Sequence, residues 1–451
     1  MDNKTGVVGS TVSPFLDGLY KQLLKSSLNY FFPSAQIQRL SAPATASTLL
    51  RFLDSGSEEV QFDWMGFRYS FLPQHALSEH DHRLLKSIGT VFSTRYELAS
   101  SQKWAMRSTQ LFRGVPEDRY VSAFLDPSPH SSAEAASNHQ DRITEAIEVL
   151  RTSSMTTYEN RRIATGVLLF GNFPDPCHKP PVAPNEALSY SYALTAIRSF
   201  HRLCDGLQTI ALVDQSGYFA ELVDIQEWAR DYSDFPLPVP VSARYEWHSR
   251  ATLCGGHVCL ILTPNGEMKV FGDGVQLFRF LDGKWRLTNG QHNYQIWTGA
   301  LGQTDLAERI FRVALNLAED RRGALLVVLD DPGLADRIIA PNDMLDHDST
   351  TNATQSSKSQ LHYLLRGKRL IDLPSSVLEN VARIDGAVVM DANGRVLTFG
   401  AILRHNSGSD LAVEGGRTTA AINTSMLGNV LKVSEDGLIS YYSKGNCVWE
   451  M

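Results

Sequence analysis

Residues 385–400 read DGAVVMDANGRVLTFG, and this stretch is the most informative part of the chain. Two apolar runs of strand length flank the pair Asn393-Gly394. Asn-Gly tolerates positive φ at both central positions of a two-residue turn, so it is a strong short-range signal for a β-hairpin. The stretch therefore predicts a strand, a tight turn and a second strand, with Asp385 at the edge where the first strand begins.

The segment before this hairpin has the pattern of an α/β fold. Residues 305–318 predict a helix, because their apolar side chains recur at helical spacing and form one face. Gly323 follows the end of this helix, and the apolar run Ala324–Leu329 predicts a buried strand. We therefore predict an α/β fold for this part of the chain.

The rest of the chain predicts three regions. Residues 1–160 form an N-terminal α+β region of unknown role, residues 161–300 a middle α/β region, and residues 301–451 the C-terminal domain. The clearest linker is the Pro- and Ser-rich segment Asp126–Ser132. In the middle region, Leu188–Cys204 is predicted to be a helix.

The middle region contains a second Asn-Gly hairpin. Its turn, Asn265-Gly266, precedes a Phe-Gly pair at the same spacing as in the C-terminal hairpin. One interpretation is an internal duplication in which His257 occupies the position of Asp385. The other is two independent hairpins, and the sequence leaves both open.

The C-terminal region resembles the nucleotide-binding core of the diadenylate cyclase (DAC) family, which includes the N-terminal domain of DNA-integrity scanning proteins. Asp385–Ala387 matches the family's Asp-Gly-Ala motif, and Val433–Ser440, VSEDGLIS, matches its last motif. Of the family's Arg-His-Arg motif only Arg417 remains, because Thr418 and Thr419 replace the His and the second Arg. The resemblance covers roughly the last third of the chain and implies a mixed-sheet domain flanked by helices.

The resemblance assigns roles to individual residues. Asp385 would be the catalytic residue and would bind Mg²⁺ or Mn²⁺, with Glu435 as a second metal ligand. A hard cation takes oxygen ligands, and an Arg fork such as that of Arg417 suits phosphate. The nucleotide-binding residues implied in this way are Gly386, Ala387, Leu403, Gly416, Arg417, Thr418, Thr419, Ser434 and Glu435. The structural alternatives are a turn residue at Asp385, a solvated side chain at Arg417 and a polar strand-edge pair at Ser434 and Glu435.

Two functions follow from the resemblance. The first is a metal-dependent nucleotidyltransferase that makes a cyclic or linear dinucleotide signal from nucleoside triphosphates, with a role in bacterial antiphage defence. Family domains face each other in pairs, so this function implies at least a homodimer. The alternative is a silent nucleotide sensor, similar to DAC-like domains of bacterial conflict systems, that regulates a separate effector protein. The replacement of two motif cations by Thr418 and Thr419 motivates this alternative. Residues 341–359, which are rich in polar side chains, predict a mobile insertion or a lid.

Net charge, cysteine spacing and the length of apolar runs argue against several other classes of protein. The formal net charge of −7 argues against bulk nucleic-acid binding, which needs a basic face. The five cysteines form no CxxC pair, so we expect reduced thiols and no zinc site. No apolar run approaches the ~20 residues of a membrane span, and the N-terminus does not resemble a signal peptide. We therefore expect a cytoplasmic protein.

Overall fold

A computed structural model describes residues 14–43, 49–101, 112–132, 134–135, 139–345, 359–404 and 415–451. The chain divides into two compact units. The first unit consists of Met1–Phe235 and Ala251–Asn289, and the second of Pro236–Arg250 and Gly290–Met451. These boundaries differ from residues 160 and 300, and the division into three regions stays a prediction.

The first unit combines helices with three β-sheets. Its helices are α1 (Pro14–Phe31), α2 (Glu79–Ser101), α3 (Pro116–Leu125), α4 (Arg142–Ser154) and α5 (Ile225–Ala229), with 3₁₀ helices at Ser128–His130, Tyr192–Ala196, Arg198–Arg202 and Arg230–Tyr232. Its strands are β1 (Gln36–Pro43), β2 (Arg51–Ser55), β3 (Val60–Trp64), β4 (Phe67–Leu72), β5 (Thr157–Tyr158), β6 (Arg161–Arg162), β7 (Thr165–Leu169), β8 (Thr209–Val213), β9 (Phe219–Asp224), β10 (Val258–Leu262), β11 (Met268–Gly272), β12 (Val275–Leu281) and β13 (Lys284–Leu287). The sheets have the orders β1-β4-β3-β2, β5-β6 and β13-β12-β11-β10-β7-β8-β9.

The second unit is built on one six-stranded sheet of order β16-β15-β14-β17-β18-β19. Its strands are β14 (Ala324–Leu329), β15 (Ala387–Asp391), β16 (Val396–Ala401), β17 (Gly428–Val433), β18 (Ile439–Ser443) and β19 (Asn446–Glu450). Its helices are α6 (Glu246–Arg250), α7 (Gly290–Leu301), α8 (Thr304–Glu319), α9 (Ala335–Ile338), α10 (Ser375–Ala382) and α11 (Gly416–Thr424), with 3₁₀ helices at Ala243–Tyr245, Pro332–Leu334, Pro341–Asp343, Ser359–Leu364 and Leu370–Asp372.

Helices cover both faces of this sheet, which explains why its central strand is apolar throughout. All residues of β14 are buried. Leu326 and Val328 belong to the core cluster that contains the apolar face of α8, whereas Leu325 and Val327 belong to the cluster on the other face, with residues of α9 and α11. A strand buried on both faces shows a continuous apolar run instead of alternation. The predicted helix at 305–318, the buried strand after it and the α/β class are confirmed.

The large sheet of the first unit repeats the topology of the second unit's sheet. The order β9-β8-β7-β10-β11-β12 in the first unit corresponds to β16-β15-β14-β17-β18-β19 in the second. In each of these orders one pair of neighbours is parallel, β7–β8 and β14–β15, and the others are antiparallel. Strand β13 is added at the edge of the first sheet. The two sheets are therefore two copies of one fold.

The register of the strands aligns the two copies residue by residue. The β8–β9 ladder shifts between Leu212 and Val213, and the β15–β16 ladder shifts at the corresponding place, between Val389 and Met390. The β11–β12 and β18–β19 ladders also shift at matching places. In both copies an Asp lies at the end of the second parallel strand, Asp214 just after β8 and Asp391 as the last residue of β15. Its carboxylate accepts the amides two and four residues later.

This alignment corrects the correspondence expected from the sequence. The Asn393-Gly394 turn matches Ser216-Gly217, and the Asn265-Gly266 turn matches Asp436-Gly437. Pairing the two Asn-Gly turns with each other was therefore wrong. His257 lies at the position of Gly428, next to β10, and not at the position of Asp385. The two sheets share one topology, but the similar spacing of the two Asn-Gly hairpins does not reflect it.

Three other expectations concern the whole chain. The five cysteines are free thiols in the structure. Among the residues described, there is no helix with both the length and the apolar character needed to cross a bilayer. Of the predicted lid at 341–359, residues 346–358 lie outside the described residues, and Pro341–Asp343 forms a 3₁₀ helix.

Candidate functional site

Three segments of the second unit meet at one edge of its sheet. Strands β14 and β15 are parallel, so both begin at this edge. Strand β17 is antiparallel to β14 and ends there, because Val433 pairs with Ala324. Asp385 and Gly386 come just before β15, and Ser434 and Glu435 come just after β17. The topology therefore brings the first and last motifs of the sequence to the same edge.

Arg417 joins the two carboxylates at this edge. Its Nη1 donates to Oε1 of Glu435 at 2.8 Å, and its Nη2 donates to Oδ1 of Asp385 at 3.5 Å. Arg417 is on the first turn of α11, and its guanidinium packs against Gly323, where an added Cβ would overlap it. Three residues predicted from separate motifs thus form one cluster. The close approach explains why a glycine stands just before β14.

The cluster is open to solvent. The side chain of Asp385 is 97% exposed, that of Glu435 is 72% exposed and that of Arg417 is 38% exposed. Ion pairs this exposed contribute only about 0–1 kcal/mol each. Arg417 can therefore exchange either carboxylate for another anion at little energetic cost.

The first turn of α11 offers amide donors beside Arg417. The N-cap residue, Gly415, makes no side-chain capping hydrogen bond, and the first amide bonded within the helix is that of Thr419. The amides of Gly416, Arg417 and Thr418 have no partner inside the helix. A helix N-terminus with free amides and partial positive charge attracts phosphate groups.

The two threonines have different surroundings. The hydroxyl of Thr418 accepts a hydrogen bond from Nζ of Lys432 at 3.2 Å. The hydroxyl of Thr419 donates to the carbonyl of Gly415 at 3.4 Å, within its own helix. Thr418 therefore lies next to a cation, whereas Thr419 stabilises the start of α11. Lys432 was not predicted from the sequence. A lysine in the otherwise apolar end of β17 is visible there, but its meaning depends on the strand register that the structure provides.

Ser434 builds the turn between β17 and β18. Its hydroxyl donates to a carboxylate oxygen of Asp436, and its amide donates to the carbonyl of Leu438 at 2.9 Å. Burial raises the pKa of Asp436. The hydrogen bonds from Ser434 and the Leu438 amide, together with the charge of Lys432, outweigh burial and hold this pKa below its usual value. Ser434 is thus placed near the cluster, but its hydroxyl is already bonded.

Two predicted residues lie behind the edge instead of on it. Ala387 is buried at the start of β15, and Leu403 is only 6% exposed in the core cluster beside α9 and α11. The neighbour of Leu403, Ile402, is largely exposed. Since Ala401 pairs with Ala387, Ile402 follows β16 at the same edge as Asp385. An apolar side chain next to the cluster is therefore Ile402, and Leu403 packs the interior.

The donor set suits a divalent cation that also binds phosphate. Among the residues described, no three His, Cys, Asp or Glu side chains are placed together to hold a metal ion. Mg²⁺, however, is commonly held by one or two carboxylates plus phosphate oxygens and water. Asp385 and Glu435, both hydrogen-bonded to one guanidinium, match that requirement.

Comparison with known proteins gives little beyond this geometry. No protein-family model matches the chain. No curated protein matches it. A hypothetical membrane-spanning protein from Bacillus cereus is 21% identical, with a TM-score of 0.22, over 36% of this chain and 76% of that chain. A double mutant of DacA from Staphylococcus aureus is 20% identical, with a TM-score of 0.19, over 32% of this chain and 83% of that chain. TM-scores this low carry no structural argument.

Proposed function

We propose that the second unit binds the phosphate groups of a nucleotide at this edge and catalyses metal-dependent nucleotidyl transfer, which yields a cyclic or linear dinucleotide. The observation that carries the proposal is the contact of Arg417 with both Asp385 and Glu435. Asp385 and Glu435 come from two motifs that match the DAC family, and Arg417 is the one residue that remains of a third. The N-terminal end of α11 and two mostly exposed carboxylates lie beside the guanidinium, which supports an anion-binding site over an ion-pair cluster alone.

The residues divide the work as follows. Arg417 turns from the carboxylates to phosphate oxygens, because bidentate guanidinium–phosphate bonds are stronger than its exposed ion pairs. The free amides of α11 bind further phosphate oxygens. Asp385 and Glu435 would then hold Mg²⁺ or Mn²⁺, which would stabilise the charge that develops in phosphoryl transfer. In this proposal Asp385 accepts the proton of an attacking ribose hydroxyl, the hydroxyl oxygen bonds to the α-phosphorus of a second triphosphate, and pyrophosphate leaves.

A nucleotide sensor without turnover is the second candidate. The observation in its favour is the bonding of Thr419, whose hydroxyl faces Gly415 within α11 and brings no charge to the edge. Catalysis needs positive charge placed in advance where charge develops. With Arg417 as the motif's remaining cation, the unit would bind a nucleotide and regulate a separate effector protein without consuming it.

A product assay separates the two functions. The full chain is incubated with each ribo- and deoxyribonucleoside triphosphate and with Mg²⁺ or Mn²⁺, and products are identified by mass spectrometry. We expect a dinucleotide, and we expect Asp385→Asn to reduce its rate at least roughly a hundredfold. Asp372→Asn is the matched control, because Asp372 is also exposed and paired with an arginine, Arg369, in the same unit.

The outcomes are distinct. A product that disappears in Asp385→Asn and persists in Asp372→Asn supports the transferase. Saturable binding of a triphosphate without any product supports the sensor. If no triphosphate binds or reacts under any condition, both functions are excluded, and the cluster is structural.

A further inference from the structure

Lys432 occupies a position that the other copy of the fold fills with an aliphatic side chain. In the first copy Ile261 pairs with Gly166, as Lys432 pairs with Leu325 in the second. Ile261 is only 2% exposed and packs on Gly166, whereas Lys432 is half-buried. An aliphatic residue therefore satisfies this position of the sheet. A lysine here is not required by the fold, and desolvating its ammonium has a cost.

The ammonium of Lys432 is held in place without a paired carboxylate. Its Nζ donates to the Thr418 hydroxyl at 3.2 Å and lies 5.8 Å from the centroid of the Tyr442 ring. Among the residues described, no carboxylate oxygen comes within 4.0 Å of this nitrogen. Asp436 feels its charge from further away. A half-buried ammonium without a carboxylate partner among the described residues can be neutralised by a bound anion.

The positions of Asp385 and Glu435 also hold uncharged residues in the first copy. Asp385 corresponds to Gln208 in the first copy, and Glu435 corresponds to Pro264. The first copy thus lacks both carboxylates and the lysine, although it retains the strands and turns that would carry them. Lys432 therefore occurs in the copy that has Asp385 and Glu435, which associates it with their chemistry.

From these observations, the geometry points to Lys432 as a phosphate-binding residue that supplies the positive charge missing at Thr418 and Thr419. This inference rests on the proposed function and deepens it, because it assigns the site to a polyphosphate ligand. Thr418 orients the ammonium, and Arg417, the preceding residue, provides the second cation. Lys432 acts by binding and positioning phosphate, since its ammonium is a compact point charge with three donors.

Binding of ATP, GTP, CTP and UTP to the full chain tests this inference, with titration calorimetry as the measurement. The main variant is Lys432→Ile, which installs the residue found at this position in the first copy. We expect it to weaken triphosphate binding about tenfold or more, because a charge-assisted hydrogen bond is lost. Lys432→Arg should retain most of the affinity. Lys368→Ile is the control, because Lys368 is exposed near the opposite edge of the same sheet, where its carbonyl accepts the amide of Val396.

Each outcome has a fixed meaning. A loss in Lys432→Ile that grows from AMP to ADP to ATP, with an unchanged melting temperature, supports the assignment. Equal triphosphate affinity of Lys432→Ile and the wild type overturns it and leaves the proposed function standing. A similar loss for adenosine, or a large drop in melting temperature, also overturns it, because Lys432 would then be structural. If the wild type binds no triphosphate, the proposed function fails and this inference fails with it.

Discussion

At the residue scale, Gly386 controls where Asp385 is placed. Its φ is +113°, a conformation that side chains with a Cβ rarely adopt. A Cβ at this position would also overlap the carbonyl carbon of Gly400 on the neighbouring strand. The glycine of the Asp-Gly-Ala motif is thus required by the backbone, whatever ligand the edge binds.

Gly386→Ala should therefore destabilise the second unit. Backbone strain and overlap together cost roughly 2–4 kcal/mol in free energy of unfolding. Urea or thermal unfolding measures this change. Gly416→Ala is the control, because Gly416 has open space around its Cβ position and no positive φ. Equal stability of the two variants would show that β15 and β16 can move apart at this point.

The sequence predicted some site residues better than others, for identifiable reasons. Asp385, Arg417 and Glu435 belong to motifs, and the structure brings them together. Leu403, which the resemblance placed near the base, is buried, whereas its neighbour Ile402 is largely exposed. Lys432 was missed because its significance depends on a register that only the structure provides.

At the element scale, a buried hydrogen-bonded pair, His257 and Asp175, connects the loop after β7 to the residue just before β10. Nε2 of His257 lies 2.5 Å from Asp175, and its Nδ1 accepts the amide of Gly171 at 2.8 Å. Asp175 also accepts the Tyr232 hydroxyl and the amides of Cys177 and His178. Both ring nitrogens of His257 are bonded in the neutral state, so protonation of Nδ1 would break the bond to Gly171.

This network makes the first unit sensitive to acid. Burial lowers the pKa of His257, and this effect outweighs the opposite effect of Asp175. Burial raises the pKa of Asp175, but its hydrogen bonds outweigh burial, so this pKa is lowered too. Both groups bind protons more readily in the unfolded chain. Stability should therefore fall as the pH drops below about 6.5, the ordinary pKa of histidine.

Melting temperatures between pH 7.5 and 5 test this expectation. The wild type should lose stability steadily below pH 6.5, and His257→Gln should show a flatter pH dependence from a lower starting value. His139→Gln, at an exposed position of the same unit, should keep the wild-type slope. A slope in His257→Gln that matches the wild type would assign the acid sensitivity to other groups.

The helix predicted in the middle region is wrong, because a residue with extended backbone interrupts it. Leu188–Cys204 was predicted to be one helix, but the structure has two short 3₁₀ helices there. Between them Ile197 has φ −86° and ψ 102°, which is extended backbone. A β-branched residue such as isoleucine has low helix propensity. Apolar spacing alone therefore overestimated this element, whereas the long apolar face of α8 was predicted well.

At the scale of the whole molecule, the chain carries two copies of one sheet topology, and the second copy carries the cluster of Asp385, Arg417 and Glu435. The positions of Asp385, Glu435 and Lys432 are filled by Gln208, Pro264 and Ile261 in the first copy. The two copies could not be aligned from the sequence, because the strongest local similarity, between the two Asn-Gly turns, joins positions that do not correspond in the structure. Strand order and matching ladder shifts provided the alignment.

Hydrogen exchange with and without a nucleoside triphosphate should distinguish the copies. Ligand binding should increase protection at the charged edge of the second copy, because amides and side chains there contact phosphate. The corresponding segments of the first copy should not change. The segments to compare are 323–325, 385–387, 416–419 and 432–435 in the second copy, and 208–210 and 261–264 in the first. Protection that appears in the first copy would contradict a single site.

The duplicated topology also has a consequence for how the chain reaches its native state. Equivalent strands of the two copies have the same neighbours and directions, so each nascent sheet offers a template on which the wrong strand can be placed. Such misassembly is a known failure of chains with tandem similar domains. Pro236–Arg250 belongs to the second unit, although the residues on either side of it in the chain belong to the first. This segment would have to leave the second unit in any form of the chain in which the two sheets exchange strands. Differences in sequence between the two copies therefore reduce the pairing of a strand with the wrong sheet during folding.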